Sequence, residues 1–559
     1  MLARLGPPLA ILLLAGPILA GLAGTLLPAF GYLPVLGGEA FTLAHVTKLL
    51  SQPGLATSVL LSFAAGLATA TISLITVALF IAAFAGTRIF SRIQHLVSPL
   101  LSVPHAAAAF GLAFLIAPSG MIARLVSPGL TGWQQPPDLL IVQDPMGLSM
   151  MAGLVVKEIP FLLLIALAAL PQVDLLRTRR LSASLGYGRI AGFVYGVWPP
   201  IYRQIRLAVF AVIAFSSSVV DVAIILGPTT PAPLAVRLLR WMNDPELSMR
   251  FFASAGALLQ LAVTAAAILV WIGLERLGAW LRDHACARGL RFRRDAWAGR
   301  AALGGMFLAA LSIFAGLATL ALWSVAGLWQ FPQVLPENFT LKSWIAAAPR
   351  IARPLGVTLL VAMLSTLIAV ALTLLCLVNE NRTGRIAGRR AMWLIYLPLI
   401  VPQVAFLFGL QLLFVITGTV ASLPALLLVH LVFVMPYVFL SLADPWRAFD
   451  PRFEAVAAGL GKSRLRTLVS VRLPMLLRAI LVAAAVGFAV SIGLYLPTVL
   501  IGAGRLETIT TEAVALASGG NRRVIGVYAF VQMVLPAIGF AVATIVPALI
   551  FRHRRAMRV

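Results

Sequence analysis

Twelve apolar runs, most of them long enough to cross a bilayer, recur along this chain at about 7-29, 55-85, 96-117, 148-170, 207-228, 250-275, 301-326, 355-378, 393-416, 424-442, 479-502 and 525-551. A span needs ~20 apolar residues, and in hydrocarbon every backbone amide must be satisfied within the segment, which leaves helices or closed barrels. Runs this long predict helices, so the expected fold is an all-α polytopic membrane protein. With 61% apolar and 11% charged residues in 559, no room remains for a large soluble domain. The first run follows a short basic start and resembles a signal peptide, but its length and the runs behind it favour an uncleaved helix.

The net charge of +25 would suggest nucleic acid on a soluble protein, but here the placement of the charges explains it. With the N-terminus inside, 31 basic residues fall on the inner side, 11 on the outer and Lys157 within a span. The positive-inside rule therefore predicts both termini in the cytoplasm and removes the need for a nucleic-acid partner. Two cysteines, Cys286 and Cys376, and six scattered histidines have no metal-ligand spacing, so neither a metal site nor a bound cofactor is expected.

The chain repeats itself. A shift of 275 carries RRLSASLGYGRIAGFVYGVWPPIYRQI (179-205) onto EAVAAGLGKSRLRTLVSVRLPMLLRAI (454-480), superposing Leu185 on Leu460, Gly186 on Gly461 and Pro199 on Pro474, although Val197 reaches Val471 only through a one-residue slip. The same shift takes Ser216 to Ser491 and Gly227 to Gly502, and a shift of 298 takes Pro104 and Gly111 to Pro402 and Gly409. The expected organisation is a first repeat over 1-280 with a loop at about 171-206, a basic linker at 281-300, and a second repeat over 301-559 with a loop at about 443-478. Six spans is an even number, so the two halves share one orientation.

The loop at 454-474, with Glu454, Ala455, Gly461, Leu473 and Pro474, resembles the signature of permease subunits of binding-protein-dependent (type I) ABC importers, with Val456 where a second Ala is usual. In the first half Gly186 and Pro199 remain, but Arg179 stands where the Glu would be. The resemblance implies that each loop docks on a cytoplasmic ATPase. It further implies two ATPase copies holding ATP and Mg, an outer solute-binding protein, and a chain with no catalytic activity of its own. The loss of the acid at 179 implies two unequal docking sites. Segments 216-239 and 491-520 look like the fused double permeases assigned to thiamine or thiamine-like uptake, whose relatives move ferric iron, sulfate, molybdate and polyamines.

Within the family picture the span after each loop lines the path, which makes Ser216, Ser217, Ser218 and Asp221, with Ser491 and Tyr495, candidate path residues; serines are equally routine packing residues between membrane helices. Three charges lie within spans, Lys157, Glu158 and Asp221, where each needs a partner or water. Either Asp221 or Glu158 supplies a counter-charge to a cationic solute, or Lys157 pairs with Asp221 and fixes helix register. Trp198 and Trp241, near span ends, are expected as interface anchors. Gly461-Lys462-Ser463 imitates the end of a P-loop, but residue 456 is Val where the first glycine belongs and no strand leads in. A secondary transporter is the rival reading and would place its coupling ion on the midplane acids; a membrane enzyme lacks every expected motif.

Overall fold

The computed structural model describes residues 2–552, and among them it is helical, with no strand. The cytoplasmic placement expected for residues 553–559 concerns a segment outside the described residues. Twelve long helices follow the twelve runs: α1 Gly6–Ala29, α2 Leu55–Phe84, α3 His105–Ile116, α4 Leu148–Ala169, α5 Trp198–Ser218, α6 Met249–Ala287, α7 Ala296–Ser324, α8 Lys342–Thr383, α9 Gln403–Ile416, α10 Leu423–Arg447, α11 Leu477–Gly493 and α12 Arg522–Ile550. Among the described residues nine helical segments are long and apolar enough to cross a membrane, and two pairs bent by 83° and 72° raise that to 11. The remaining run, at 207–228, is α5 followed by Asp221–Leu226 after a break; Arg203 and Arg206 make the first half of α5 polar. Several helices are apolar on all sides, as a lipid-facing span must be: on α1, Leu14 and Ile18 are buried while Leu12 and Leu19 are exposed.

The breaks have local causes. The residue before a proline is pushed out of the helical region. Val401, before Pro402, is extended, and the chain turns by 83° there. Val103, before Pro104, is extended in the same way. The run expected at 96-117 is corrected accordingly: 98–102 form a 3-10 turn after the amphipathic helix Arg88–Val97, and the span starts at His105. A second pair of breaks is related by the shift of 275. Val219 and Leu494 are both extended, and a short helix follows each, Asp221–Leu226 and Leu496–Gly502. The linker is shorter than 281-300, because α6 runs on to Ala287 and α7 starts at Ala296.

The first helix of each half packs on the other half. Where α1 crosses α9, a Cβ on Gly409 would lie 2.0 Å from the Gly21 carbonyl oxygen, and one on Gly21 would lie 2.1 Å from that of Phe406. Thr25 Oγ1 donates to the Gly21 carbonyl (3.0 Å) and accepts from the Gly409 amide (3.0 Å), closing the crossing. Where α7 crosses α3, Gly316 and Gly111 meet in the same manner, each Cβ position within 2.9 Å of the other's carbonyl carbon. Without a hydrophobic driving force between helices in lipid, such close backbone approach supplies the association. Nearby, buried Arg124 adds a clamp, donating to the carbonyls of Gln330 and Gln333 (both 2.8 Å) with its guanidinium 4.7 Å from the Trp329 ring.

Candidate functional site

The two loops matched in sequence share one backbone course from the glycine to the proline. Helix Leu175–Ser184 and helix Arg452–Gly459 each end in a glycine in the left-handed region, Gly186 and Gly461, both at φ +76°. Gly186 N–H donates to Ala183 O (2.9 Å) and Tyr187 N–H to Ser182 O (3.0 Å); Gly461 N–H donates to Ala458 O (2.9 Å) and Lys462 N–H to Ala457 O (3.0 Å). This is the paired 6→1 and 5→2 helix stop that favours glycine. Next come four-residue helices, Arg189–Gly192 and Arg464–Thr467, then π-helical turns at Phe193–Val197 and Leu468–Arg472. Pro199 and Pro474 sit in the first turns after them, where a missing N–H does no harm. From the glycine to the proline every element keeps the shift of 275, so the one-residue slip disappears and Val197 falls on Arg472; beyond it the first half runs on as α5 while the second bends by 72° after Met475.

The side chains on this shared frame differ. Glu454 accepts from Arg472 Nη1 at 2.9 Å, and Arg472 also donates to the Trp446 carbonyl (2.8 Å) and stacks 4.2 Å from the Trp446 ring. Glu454 is therefore paired inside the chain. In the first half Arg179 and Val197 replace that pair, and Arg179 donates instead to Ala85 O (3.0 Å) at the end of α2, alongside Arg189. A cation suits a helix C-terminus. Burial first, and the Arg179 charge second, lower the pKa of Arg189. Ser463 caps its helix through Arg466 N–H, and Lys462 reaches Ser470 Oγ at 3.4 Å, so the P-loop imitation is a helix stop and start. Ala455 and Gly461 are exposed, and Leu473, Pro474 and Pro199 are half-buried.

Within the spans, the expected Lys157–Asp221 pair does not form. Lys157 Nζ donates to the carbonyls of Leu100 (2.8 Å) and Leu101 (3.5 Å), ahead of the Pro104 break, where free carbonyls are available. Glu158 instead meets His105 Nε2 at 3.3 Å, and His105 packs against Phe215 with ring centroids 4.7 Å apart. Asp221, buried at the start of its short helix, makes no ion pair among the described residues. Tyr495 directly precedes the helix Leu496–Gly502, the counterpart of the one that Asp221 opens. The serines pack between helices. Ser217 bonds the Ala214 carbonyl and Thr264, Ser218 bonds the Ala214 carbonyl, and Ser491 joins His430 (2.8 Å) and Ser365 (3.2 Å). Ser216 Oγ is buried without a hydrogen-bond partner among the described residues. Trp198 and Trp241 pack on Tyr202 and Phe252 respectively.

No protein-family model matches the chain. It is, however, 31% identical over 519 residues to the inner membrane ABC transporter permease protein YnjC of Escherichia coli (strain K12), a match that covers 93% of each protein. The chain belongs to the ABC transporter permeases. The permease is thus a multi-pass inner-membrane transport subunit rather than an enzyme, and membership implies an ATP-hydrolysing partner. The secondary-transporter reading is set aside.

Sequence reasoning missed three residues of the permease that the fold brings into play. Arg472 was hidden by the slip in the alignment, although a shift of 275 held without interruption opposes it to Val197. His105 follows Pro104 directly, and a polar residue beside a helix break inside an apolar run was a usable signal. Asp295 carried no signal, because its contact with the first turn is purely tertiary.

Proposed function

We propose that the permease is the fused double membrane subunit of a binding-protein-dependent importer. In this reading residues 1-280 and 301-559 are parallel six-span repeats with both termini in the cytoplasm, and loops 171-206 and 443-478 each receive one ATPase copy. ATP and its Mg belong to that partner, and an outer solute-binding protein delivers the solute. The observation that carries the reading is the shared frame of glycine stop, four-residue helix, π turn and proline, reproduced at a shift of 275 on the more basic side of the chain. A short helix braced at the end of a span transmits closure of a soluble dimer into rotation of that span. Exposed apolar residues beside the second turn, Val456, Leu460, Leu465 and Val469, support a protein partner there.

The solute is best read as a small thiamine-like cation. Asp221, without an ion pair among the described residues, and Glu158, beside His105, offer negative charge, and Phe215 adds an aromatic ring against His105. That chemistry suits an organic cation and argues against sulfate or molybdate; ferric iron and polyamines are the other cationic solutes of such systems. The test is reconstitution in proteoliposomes with the ATPase and the solute-binding protein. ATP-dependent accumulation of labelled thiamine is the expected result. Uptake without ATP would overturn the coupling, and ATP-driven uptake of another solute with none of thiamine would overturn the substrate.

A further inference from the structure

The linker between the halves is not a loose tether. Between Ala287, the end of α6, and Ala296, the start of α7, it folds onto the first glycine turn. Gly188 N–H donates to the Arg291 carbonyl at 2.9 Å, and Asp295 Oδ2 accepts from Ile190 N–H (2.6 Å) and Ala191 N–H (3.2 Å). Asp295 does for the helix Arg189–Gly192 what Ser463 does for its counterpart, whose position Gly188 occupies without a side chain. Glycine is required there. A Cβ on Gly188 would lie 2.2 Å from the Phe292 carbonyl oxygen and 2.4 Å from Asp295 Oδ2. The linker also overhangs the turn itself, since the Cβ position of Gly186 is 3.2 Å from Arg293 Nη2 and 3.5 Å from Arg291 Nη1, whereas that of Gly461 meets nothing within 4 Å.

The two turns consequently present different surfaces. Ile190 is 7% exposed while its counterpart Leu465 is 71% exposed. In place of Leu465, which lies between exposed Arg464 and Arg466, the first turn offers the linker's Phe292, 58% exposed, flanked by exposed Arg291, Arg293 and Arg294. The one acid of this stretch, Asp295, is consumed in capping. Arg293 thus lies directly beside the Gly186 turn.

We infer that linker residues 291–295 are a structural part of the first ATPase-docking surface, so that one ATPase copy meets linker arginines around Phe292 while the other meets Leu465 between Arg464 and Arg466 of the turn itself, and an acidic rim on the ATPase suits both. The inference rests on the docking reading above. It gives a physical form to the inequality implied by Arg179: the first turn has exchanged an acid and a self-capping serine for contacts supplied by the linker.

The test uses the complete complex in membranes, with benzoylphenylalanine placed singly at 185, 293 or 460 and irradiated. ATPase adducts at all three positions are expected. In addition, Asp295→Ala should lower the adduct yields at 185 and 293 about fivefold, as loss of a helix cap would, while leaving that at 460 unchanged. Adducts at 185 and 460 with none at 293 would overturn the inference and leave the docking reading standing. Lipid adducts alone at 293 would assign the arginines to headgroups and likewise overturn it. ATPase adducts at none of the three would defeat the docking reading itself.

Discussion

Replacing Glu454 by Gln separates a residue that braces the second turn from one that grips the ATPase directly. The ion pair spans 2.9 Å, with the Arg472 side chain 6% exposed and that of Glu454 35% exposed. Breaking a fully buried pair by removing one partner costs about 3–5 kcal/mol, whereas an exposed pair contributes about 0.2–1 kcal/mol. Arg472 keeps the Trp446 carbonyl at 2.8 Å and the rings of Trp446 and Phe449 at 4.2 and 4.9 Å. The loss for Glu454→Gln should therefore fall between the limits, at about 2 kcal/mol. Arg472→Met should cost at least as much, about 2 kcal/mol, because although the third-exposed Glu454 can turn to water the buried Trp446 carbonyl loses its donor and two rings lose the guanidinium. The double variant should cost no more than Arg472→Met alone, since the Glu454 charge has by then already lost its partner.

The assay is the thermal midpoint of the purified permease in detergent, read beside ATP-driven uptake. A fall of about 3 °C is expected for Glu454→Gln, with uptake reduced in parallel and the double variant falling no further than Arg472→Met alone. An unchanged midpoint, with uptake abolished in the single and the double alike, would refute the bracing argument and make Glu454 a direct contact of the partner.

Gly461→Asp should leave expression intact, because nothing lies within 4 Å of its Cβ, yet abolish uptake through about 1–3 kcal/mol of strain at φ +76°. Gly186→Asp should do less harm, as the new carboxylate falls beside Arg293 and Arg291; uptake assays on the two variants decide it. Gly409→Ala should prevent the α1–α9 crossing and cost about 1–3 kcal/mol or more, seen as loss of monodisperse protein on size-exclusion chromatography, while Gly304→Ala, with nothing within 4 Å, should behave as the parent. Asp221→Asn should weaken cation uptake at normal expression, and adding Lys157→Met should not rescue it, because Lys157 bonds carbonyls of Leu100 and Leu101 instead; rescue would restore the pairing hypothesis. Exposed Cys286 should react with a membrane-impermeant maleimide only after permeabilisation, and buried Cys376 not at all; labelling of Cys286 in intact spheroplasts would invert the topology.

How much of the permease was legible without coordinates depended on the range of the interaction concerned. The twelve runs and their helical character follow from composition over about 20 residues, because in lipid a long apolar segment can satisfy its amides only within itself. The glycine stops at 186 and 461 were equally legible, since only glycine adopts that backbone without strain and the proline thirteen residues on marks the next helix. The breaks at Pro104 and Pro402 were visible as residues, but the geometry they produce, an 83° bend at one and a 3-10 turn at the other, was not.

What the tertiary structure decided is partner choice. Lys157, Glu158 and Asp221 each had more than one conceivable partner within an apolar interior, and only the packed helices determine that Lys157 finds free carbonyls and Glu158 finds His105. The same holds for the crossing of α1 onto α9 and of α7 onto α3: the small residues were in the sequence, but a glycine does not name the helix that will approach it. The linker is the clearest case. Its arginines read as a solvated basic run under the positive-inside rule, and Asp295 as one acid among 18. Hydrogen bonds between residues a hundred positions apart leave no local pattern, so the helix cap that Asp295 supplies to the first turn existed only once the chain had folded.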